Sequence, residues 1–265
     1  MINEVVTING QMQTVQRFVE ADVPGLEFSL TELTERIYED PCGTKKETGK
    51  AWPDEFPFPE AAFRRLDESD DTDFYDTPRL CYHIDEGAVR SLTTYYREHA
   101  GVKPGSAVLD ICSSWVSHYP ADWPDTMSRI AGTGMNIFEL EQNAQFSDFS
   151  PRNLNVEPTL PFEDASFDLV TCVVSVDYLT KPLEIFKEVN RVLKPGGKFV
   201  LSQSNRCFQT KAIVMWLQQS DLQHCQVIGA YFHYSGGWSP PKAFDVSPGG
   251  PRANDPLFIV EAVKA

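Results

Sequence analysis

The segment from Leu160 to Ser202 constrains the fold more than any other part of the chain. Within it SFDLVTCVVSV is nearly continuous in apolar and β-branched residues, as a strand buried on both faces requires. PLEIFKEVNRVL follows, with Leu183, Phe186, Val189, Val192 and Leu193 on one helical face and Pro182 suited to a first turn. KPGG reads as the helix stop, and KFVLSQ as a second strand. A strand, a crossover helix and a strand in succession predict a parallel sheet with helices on its faces. Ligands in such sheets bind at the carboxyl ends of the strands, where strand order reverses.

The flanking sequence extends this pattern. The stretch from Pro78 to Ala100 places Ile84, Ala88, Leu92 and Tyr95 at helical spacing, with Gly101 as its stop. SAVLDIC is a short buried strand, and DTMSRIAGTGMNIF accommodates a helix and a strand. KAIVMWLQQ is a helix candidate, and FIVEAVKA a last strand. Residues 1–72 form a polar, proline-punctuated extension, for which a lid and an independent appendage both remain open. Within it, Ser29–Glu32 has the form of a capping box before LTELTERIYED, and RRLDESDDTDFYD reads as an exposed acidic run.

Composition narrows the function classes. The formal charge is −15, from 38 acidic and 23 basic residues, which opposes extended contact with phosphate backbones. No apolar run is long enough to span a bilayer, and MINEVVTINGQM lacks the pattern of a secretory signal. The six cysteines are widely spaced with no C-x-x-C pair, so no metal site is expected and a reducing, cytoplasmic setting is. A small-molecule partner fits these properties. They leave the oligomeric state open.

Two phrases carry a resemblance: LPF-x-D-x-SFD-x-V from Leu160 and F-x-E-x-x-RVLKPGG from Phe186. They resemble class I S-adenosylmethionine (SAM)-dependent methyltransferases, in the small-molecule branch that includes ubiquinone and menaquinone biosynthesis. The resemblance covers roughly residues 75–265, with the domain taken as 73–265. It implies a three-layer, Rossmann-like α/β fold with a mostly parallel seven-stranded sheet, ending in a hairpin of strands at one edge. It also implies S-adenosyl-L-methionine as cofactor and methyl transfer as the reaction.

In that family the first strand ends in an acidic residue followed by a GxGxG loop. Here VLDICSSWVSHYP supplies Asp110, and the glycine positions fall on Cys112, Ser114 and Val116, so the loop is degenerate. Cys112, Ser113 and Ser114 are small enough for close approach to a cofactor. Val116 disfavours positive φ, and Trp115 adds bulk. The resemblance places Asn136 at the end of the second strand, where a carboxylate normally takes the ribose hydroxyls, with Glu139 or Glu141 as substitutes. Asn153 and Leu154 fall at the adenine position, and Ser175 at the end of the fourth strand. Tyr75 and Arg79 precede the first core helix, where the cofactor's methionine end is covered. Arg79 suits a carboxylate contact or a solvated offset to the acidic run.

On the substrate side, Asp177 and Tyr178 emerge at a strand end, where Asp177 serves as a base or as an N-cap. His118 is a base or a packing residue. Asn205 and Arg206 follow the fifth strand at the expected substrate entrance. His233 and Tyr234, in the aromatic run AYFHYSGGW, wall a pocket, close a lid or, as aromatics alternating along a strand, belong to the core. The serines at 113, 114 and 117 lack the Gly-x-Ser-x-Gly turn of a hydrolase. Beside SAM-dependent transfer stand two alternatives: the same fold repurposed for another ligand or reaction, and a non-catalytic module whose cleft Trp115 or Val116 would plug.

Overall fold

A computed structural model describes residues 2–8, 11–17, 52–249 and 255–265. The capping box at Ser29–Glu32 and the helix expected behind it lie outside the described residues. The chain begins with an antiparallel hairpin of β1 (Ile2–Ile8) and β2 (Gln11–Arg17), registered Ile2 against Arg17. The sequence between them is Asn9-Gly10, a strong short-range hairpin signal.

Seven further strands form one sheet: β3 (Ala107–Ile111), β4 (Arg129–Gly132), β5 (Asp148–Phe149), β6 (Phe167–Val173), β7 (Leu193–Gln203), β8 (Lys242–Asp245) and β9 (Phe258–Val263). Their order is β5-β4-β3-β6-β7-β9-β8. The first five run parallel, and β9 lies antiparallel to both β7 and β8. This is the Rossmann-like class I methyltransferase fold that the resemblance implied, edge hairpin included. The chain leaves β3 toward β4 on one side and β6 on the other, so the switch in strand order falls at the carboxyl end of β3.

Seven α-helices are described: α1 (Asp71–Tyr75), α2 (Glu86–His99), α3 (Trp123–Thr126), α4 (Ile137–Gln142), α5 (Pro182–Val192), α6 (Val214–Leu217) and α7 (Asp221–Ser235). Asp85 caps α2 by accepting the Ala88 N–H at 2.8 Å, and Ala88, Leu92, Tyr95 and Tyr96 turn inward onto Val108, Leu169, Val200 and Ile259. On the opposite face, Phe186 of α5 packs against Phe199 of β7 and against Tyr231 and Phe232 of α7, with ring centroids 4.9–5.6 Å apart. Successive residues of β7 alternate between the two cores: Phe199 and Leu201 to one, Val200 to the other. Burial of both sheet faces explains why these strands read as continuous apolar runs.

Several sequence expectations are corrected. KPGG does not stand apart as a stop: β7 begins at Leu193 and absorbs the extra residues as an irregularity between the Phe167–Leu193 and Leu169–Lys198 pairs, with Gly196 at φ +76°. AYFHYSGGW is not an alternating strand, because Tyr231 through Ser235 complete α7. KAIVMWLQQ yields only the short α6.

The acidic run 64–76 is not wholly exposed either. Asp71 is buried, with its Oδ1 2.6 Å from Arg65 Nη1 and 3.3 Å from Lys211 Nζ. Lys211 is fully buried and also pairs with Asp67 at 3.2 Å and donates to the Ser69 carbonyl at 2.8 Å. A buried ammonium requires such partners, and the acidic run supplies them.

Candidate functional site

A cavity of about 360 Å³ opens at the carboxyl ends of β3, β4 and β6. Its floor is the loop after β3. Asp110 is buried and accepts hydrogen bonds from Ser113 Oγ at 2.5 Å and Thr171 Oγ1 at 2.8 Å. Burial pushes its carboxyl up to about 6 against the pull of hydrogen bonds from Ser113, Ser117 and Thr171. Cys112 adopts φ +53°, so the first glycine position keeps a left-handed backbone without glycine. Ser113 N–H donates to the Thr133 carbonyl at 2.8 Å, joining this loop to the one after β4. The Ser114 hydroxyl donates to Glu139 Oε2 at 2.6 Å.

Trp115 does not fill the cleft. Its indole stacks on Tyr82 at 5.3 Å and donates to the Cys81 carbonyl at 3.1 Å, which leaves it as one wall. Val116 likewise lines the cavity and has no positive φ. His118, at φ +58°, is buried on the same wall. Burial lowers its imidazole to about 4, with His83 adding a smaller effect in the same direction.

Asn136 is not at the end of the second strand. β4 stops at Gly132, and Asn136 is the N-cap of α4, its Oδ1 accepting Glu139 N–H at 3.0 Å. Its amide nitrogen donates to the carbonyls of Tyr75 and Asp76 at 2.8 and 3.0 Å, so both amide hydrogens are committed to holding that segment. The cavity-lining residue nearest the strand end is Gly134, where an added Cβ would lie 2.1 Å from the Ser113 carbonyl oxygen. Glu139 lines the cavity from α4 and is only 7% exposed, whereas Glu141 is exposed.

The far wall comes from β6 and from the segment before α2. Ser175 lines the cavity and donates to the Val173 carbonyl at 2.7 Å. Asn153 and Leu154 line it as well, beside Asn155, which donates to Asp71 Oδ2 at 3.0 Å and to the Tyr178 carbonyl at 2.9 Å. Tyr178 lies in a 3₁₀ turn, and its hydroxyl accepts the Phe208 N–H at 2.8 Å. Asp177 precedes it but does not line the cavity. The N-cap of α5 is Lys181, so Asp177 is no cap. Its Oδ2 is buried without a hydrogen-bond partner, and burial pushes the carboxyl up to about 8. Tyr75 and Arg79 reach the cavity, the Arg79 guanidinium sitting 4.6 Å from the Phe74 ring centre and 5.2 Å from that of Phe208. Burial raises the Tyr75 phenol above its usual range.

The structure thus gathers Tyr75, Arg79, Asp110, Cys112, Ser113, Ser114, His118, Asn136, Asn153, Leu154, Ser175, Tyr178 and Arg206 around one cavity. Arg206 is well exposed and tied to Asp255 at 2.7 Å. Asn205, His233 and Tyr234 are not among the lining residues. His233 stacks on Trp52 at 5.2 Å, and the Tyr234 hydroxyl donates to the Pro53 carbonyl, because the end of α7 turns them toward the N-terminal segment. Sequence reasoning missed Gly134, Asn155, Phe208, Arg65 and Asp71. For α4 a signal was present: Asn136 followed three residues later by Glu139 has helix-start spacing.

Comparison with known proteins agrees with the architecture. Residues 133–201 match the family model for a methyltransferase domain, a span that runs from the loop after β4 to β7 and omits the Cys112–His118 loop. The demethylmenaquinone methyltransferase of Lysinibacillus sphaericus (strain C3-41) is 28% identical over 119 residues, covering 41% of this chain and 49% of that protein. That of Staphylococcus haemolyticus (strain JCSC1435) is 34% identical over 122 residues, covering 40% and 46%. The chain therefore spans about half the length of these relatives. Among solved structures, the [4+2]-cyclase SpnF superposes with a TM-score of 0.50 at 17% identity, over 73% of this chain and 91% of that one, a likeness of fold.

Proposed function

We infer that this chain, with its methyltransferase-like core, transfers a methyl group from S-adenosyl-L-methionine to a small-molecule acceptor through a cofactor loop built without glycine. The observation that carries this reading is the open cavity at the switch point, where a non-catalytic module would have a cleft plugged by Trp115 or Val116. The residues present fit the cofactor. Cys112 supplies the left-handed backbone that lets the chain pass close to a ligand, and Ser113 and Ser114 add hydroxyls. Asp110 braces that loop from below. Asn153 and Leu154 stand at the end assigned to adenine, and Tyr75 and Arg79 at the methionine end. Asn136 acts at one remove by fixing the Tyr75–Asp76 backbone.

When bound, the cofactor supplies an electrophilic methyl group on a sulfonium. Tyr75, Tyr178 and Phe208 present the aromatic surface that a sulfonium favours. Tyr178 is the group at the cavity, and Asp177 lies behind it as a proton acceptor available above a pH of about 8. His118 stays neutral above a pH of about 4 and is a second acceptor on the opposite wall. Arg206 and Asn205 mark the entrance. We also propose that the described end of the leader, where Arg65 and Asp71 line the cavity, serves as a lid over it, and that the protein works in the cytoplasm without nucleic acid. No described helix is long and apolar enough to cross a membrane.

Calorimetric titration with SAM and with S-adenosylhomocysteine tests the reading. Binding well below millimolar is expected for both, and absence of binding by either overturns it.

A further inference from the structure

We propose that Cys112 and Cys172 form an oxidation site, a dithiol that hydrogen peroxide converts to a disulfide at the floor of the cavity. The disulfide itself does not depend on the methyltransferase reading, whereas its effect on cofactor binding rests on it. All the described cysteines are free thiols. Cys172 of β6 lies opposite Ile111 of β3 in the parallel register, and Cys112 is the next residue along. Neighbouring strands lie about 4.8 Å apart with a rise of about 3.3 Å per residue. The Cα diagonal is then roughly 6 Å, inside the span of about 4.4–6.8 Å that disulfides bridge.

Register alone would not bring the two sulfurs together. Consecutive side chains of an extended strand leave opposite faces, which would turn Cys112 away from the face that Ile111 and Cys172 share. The left-handed backbone breaks that alternation: at φ +53°, Cys112 packs against the same apolar cluster as they do. The two thiols hydrogen-bond to each other, and that bond together with burial holds the Cys172 thiol well above its ordinary range. Cys112 is half-buried and lines the cavity, whereas Cys172 is only 1% exposed. An oxidant arriving from solvent therefore meets Cys112 first.

The Cys112 thiolate attacks one peroxide oxygen and the O–O bond breaks, giving a sulfenic acid and hydroxide, which recovers the thiol's proton as water. The Cys172 sulfur then attacks the Cys112 sulfur, and hydroxide leaves with the Cys172 proton as a second water. Two thiols are oxidised and one peroxide is reduced. An S–S bond of about 2.05 Å is shorter than any contact between unbonded sulfurs, so closing it draws Cys112 toward β6. Cys112 opens the loop in which Ser113 is held by Asp110 and by the Thr133 carbonyl, and a shift there disturbs both bonds. In a reducing compartment such a disulfide is transient, which suits a sensing site rather than a permanent staple.

The test is peroxide treatment of the reduced, full-length native chain, followed by alkylation of free thiols and non-reducing peptide mapping by mass spectrometry. A peptide pair joined through Cys112 and Cys172 is expected, absent in Cys112→Ser and Cys172→Ala and retained in Cys81→Ser and Cys207→Ser. No link, a link from Cys112 to another cysteine, sulfinic acid at Cys112 without a link, or an equal yield in denaturant overturns the site. Should Cys172→Ala not fold, mapping of wild type and Cys112→Ser decides the matter. Calorimetry then compares S-adenosylhomocysteine binding by the two forms. The oxidised form is expected to bind about tenfold more weakly, the worth of one hydrogen bond, with affinity restored by dithiothreitol. Equal affinity overturns the effect on the loop. A reduced protein that does not bind overturns the methyltransferase reading and the cofactor effect with it, and leaves the disulfide to stand on the mapping.

Discussion

Two neighbouring regions at the centre of the sheet hold their shape by different means. The Phe167–Ser202 crossover is an apolar device. Ile185, Phe186, Val189 and Val192 of α5 are all buried, and their neighbours are rings and methyl groups. The Cys112–His118 loop beside it is polar and locally strained. Two of its seven residues have positive φ, and it is tied down by Asp110, Thr133, Glu139 and Asn143. The crossover gains stability from area removed from water, which depends little on precise direction. The loop relies on hydrogen bonds, which fail when one partner shifts. One region can therefore tolerate changes of sequence that keep its pattern, while the other must keep its set of partners.

Three measurements would break or sharpen this contrast. The largest effect is expected in the crossover: Phe186→Ala removes a ring packed against Phe199, Tyr231 and Phe232, and should cost about 3–5 kcal/mol in denaturant unfolding. While the variant remains folded, its affinity for S-adenosylhomocysteine should be unchanged, and a parallel loss would join the two regions energetically.

A middle effect is expected from Asp177, at the junction of the two. Its folded-state pKa lies near 8, far above the ordinary carboxyl value of 3.8. The native state therefore keeps a proton that the unfolded chain has released. Stability from this group is complete below a pH of about 4 and declines as pH rises through 8. Unfolding free energy should fall by roughly 3–4 kcal/mol between pH 5 and 8 from this group alone, and Asp177→Asn should flatten the decline. An unchanged slope in that variant would show that the carboxyl is not held protonated.

The smallest effect is expected at Cys112. Substitution by glycine relieves the side chain at φ +53° but enlarges the freedom of the unfolded chain, so the net change should stay within about 1 kcal/mol. A larger stabilisation, read from the same denaturation curves, would mark the loop as a greater store of strain than its geometry suggests.

What could be read from the sequence follows the same division. Periodicity revealed β6, α5 and most of α2, because burial on two faces or one stripe leaves a pattern within a few residues. The aromatic run 231–234 misled, since alternation over four residues does not distinguish a strand from one turn of helix. The better signal lay upstream, where Ser220 and Gln223 have capping-box spacing and Gln223 Oε1 accepts the Ser220 N–H. In the site, Asp110, Cys112, Ser113, Ser114 and Tyr178 reach the cavity as expected because strand ends place them there. Asn136 lies in the cavity lining, but its side chain serves the helix cap and the Tyr75–Asp76 backbone. Asn155, Phe208 and Asp71 depend on partners 23 to 84 residues away, or on stacking between distant segments, and no local pattern encodes such meetings.

Lys211 sets the limit to which the chain can be trimmed. A protease working inward from the amino end would eventually reach Arg65–Asp71. Removing that stretch would strip a fully buried ammonium of Asp67, Ser69 and Asp71 together. Digestion should therefore stall before residue 65, and the surviving fragment would define the smallest piece of this chain able to keep its cleft.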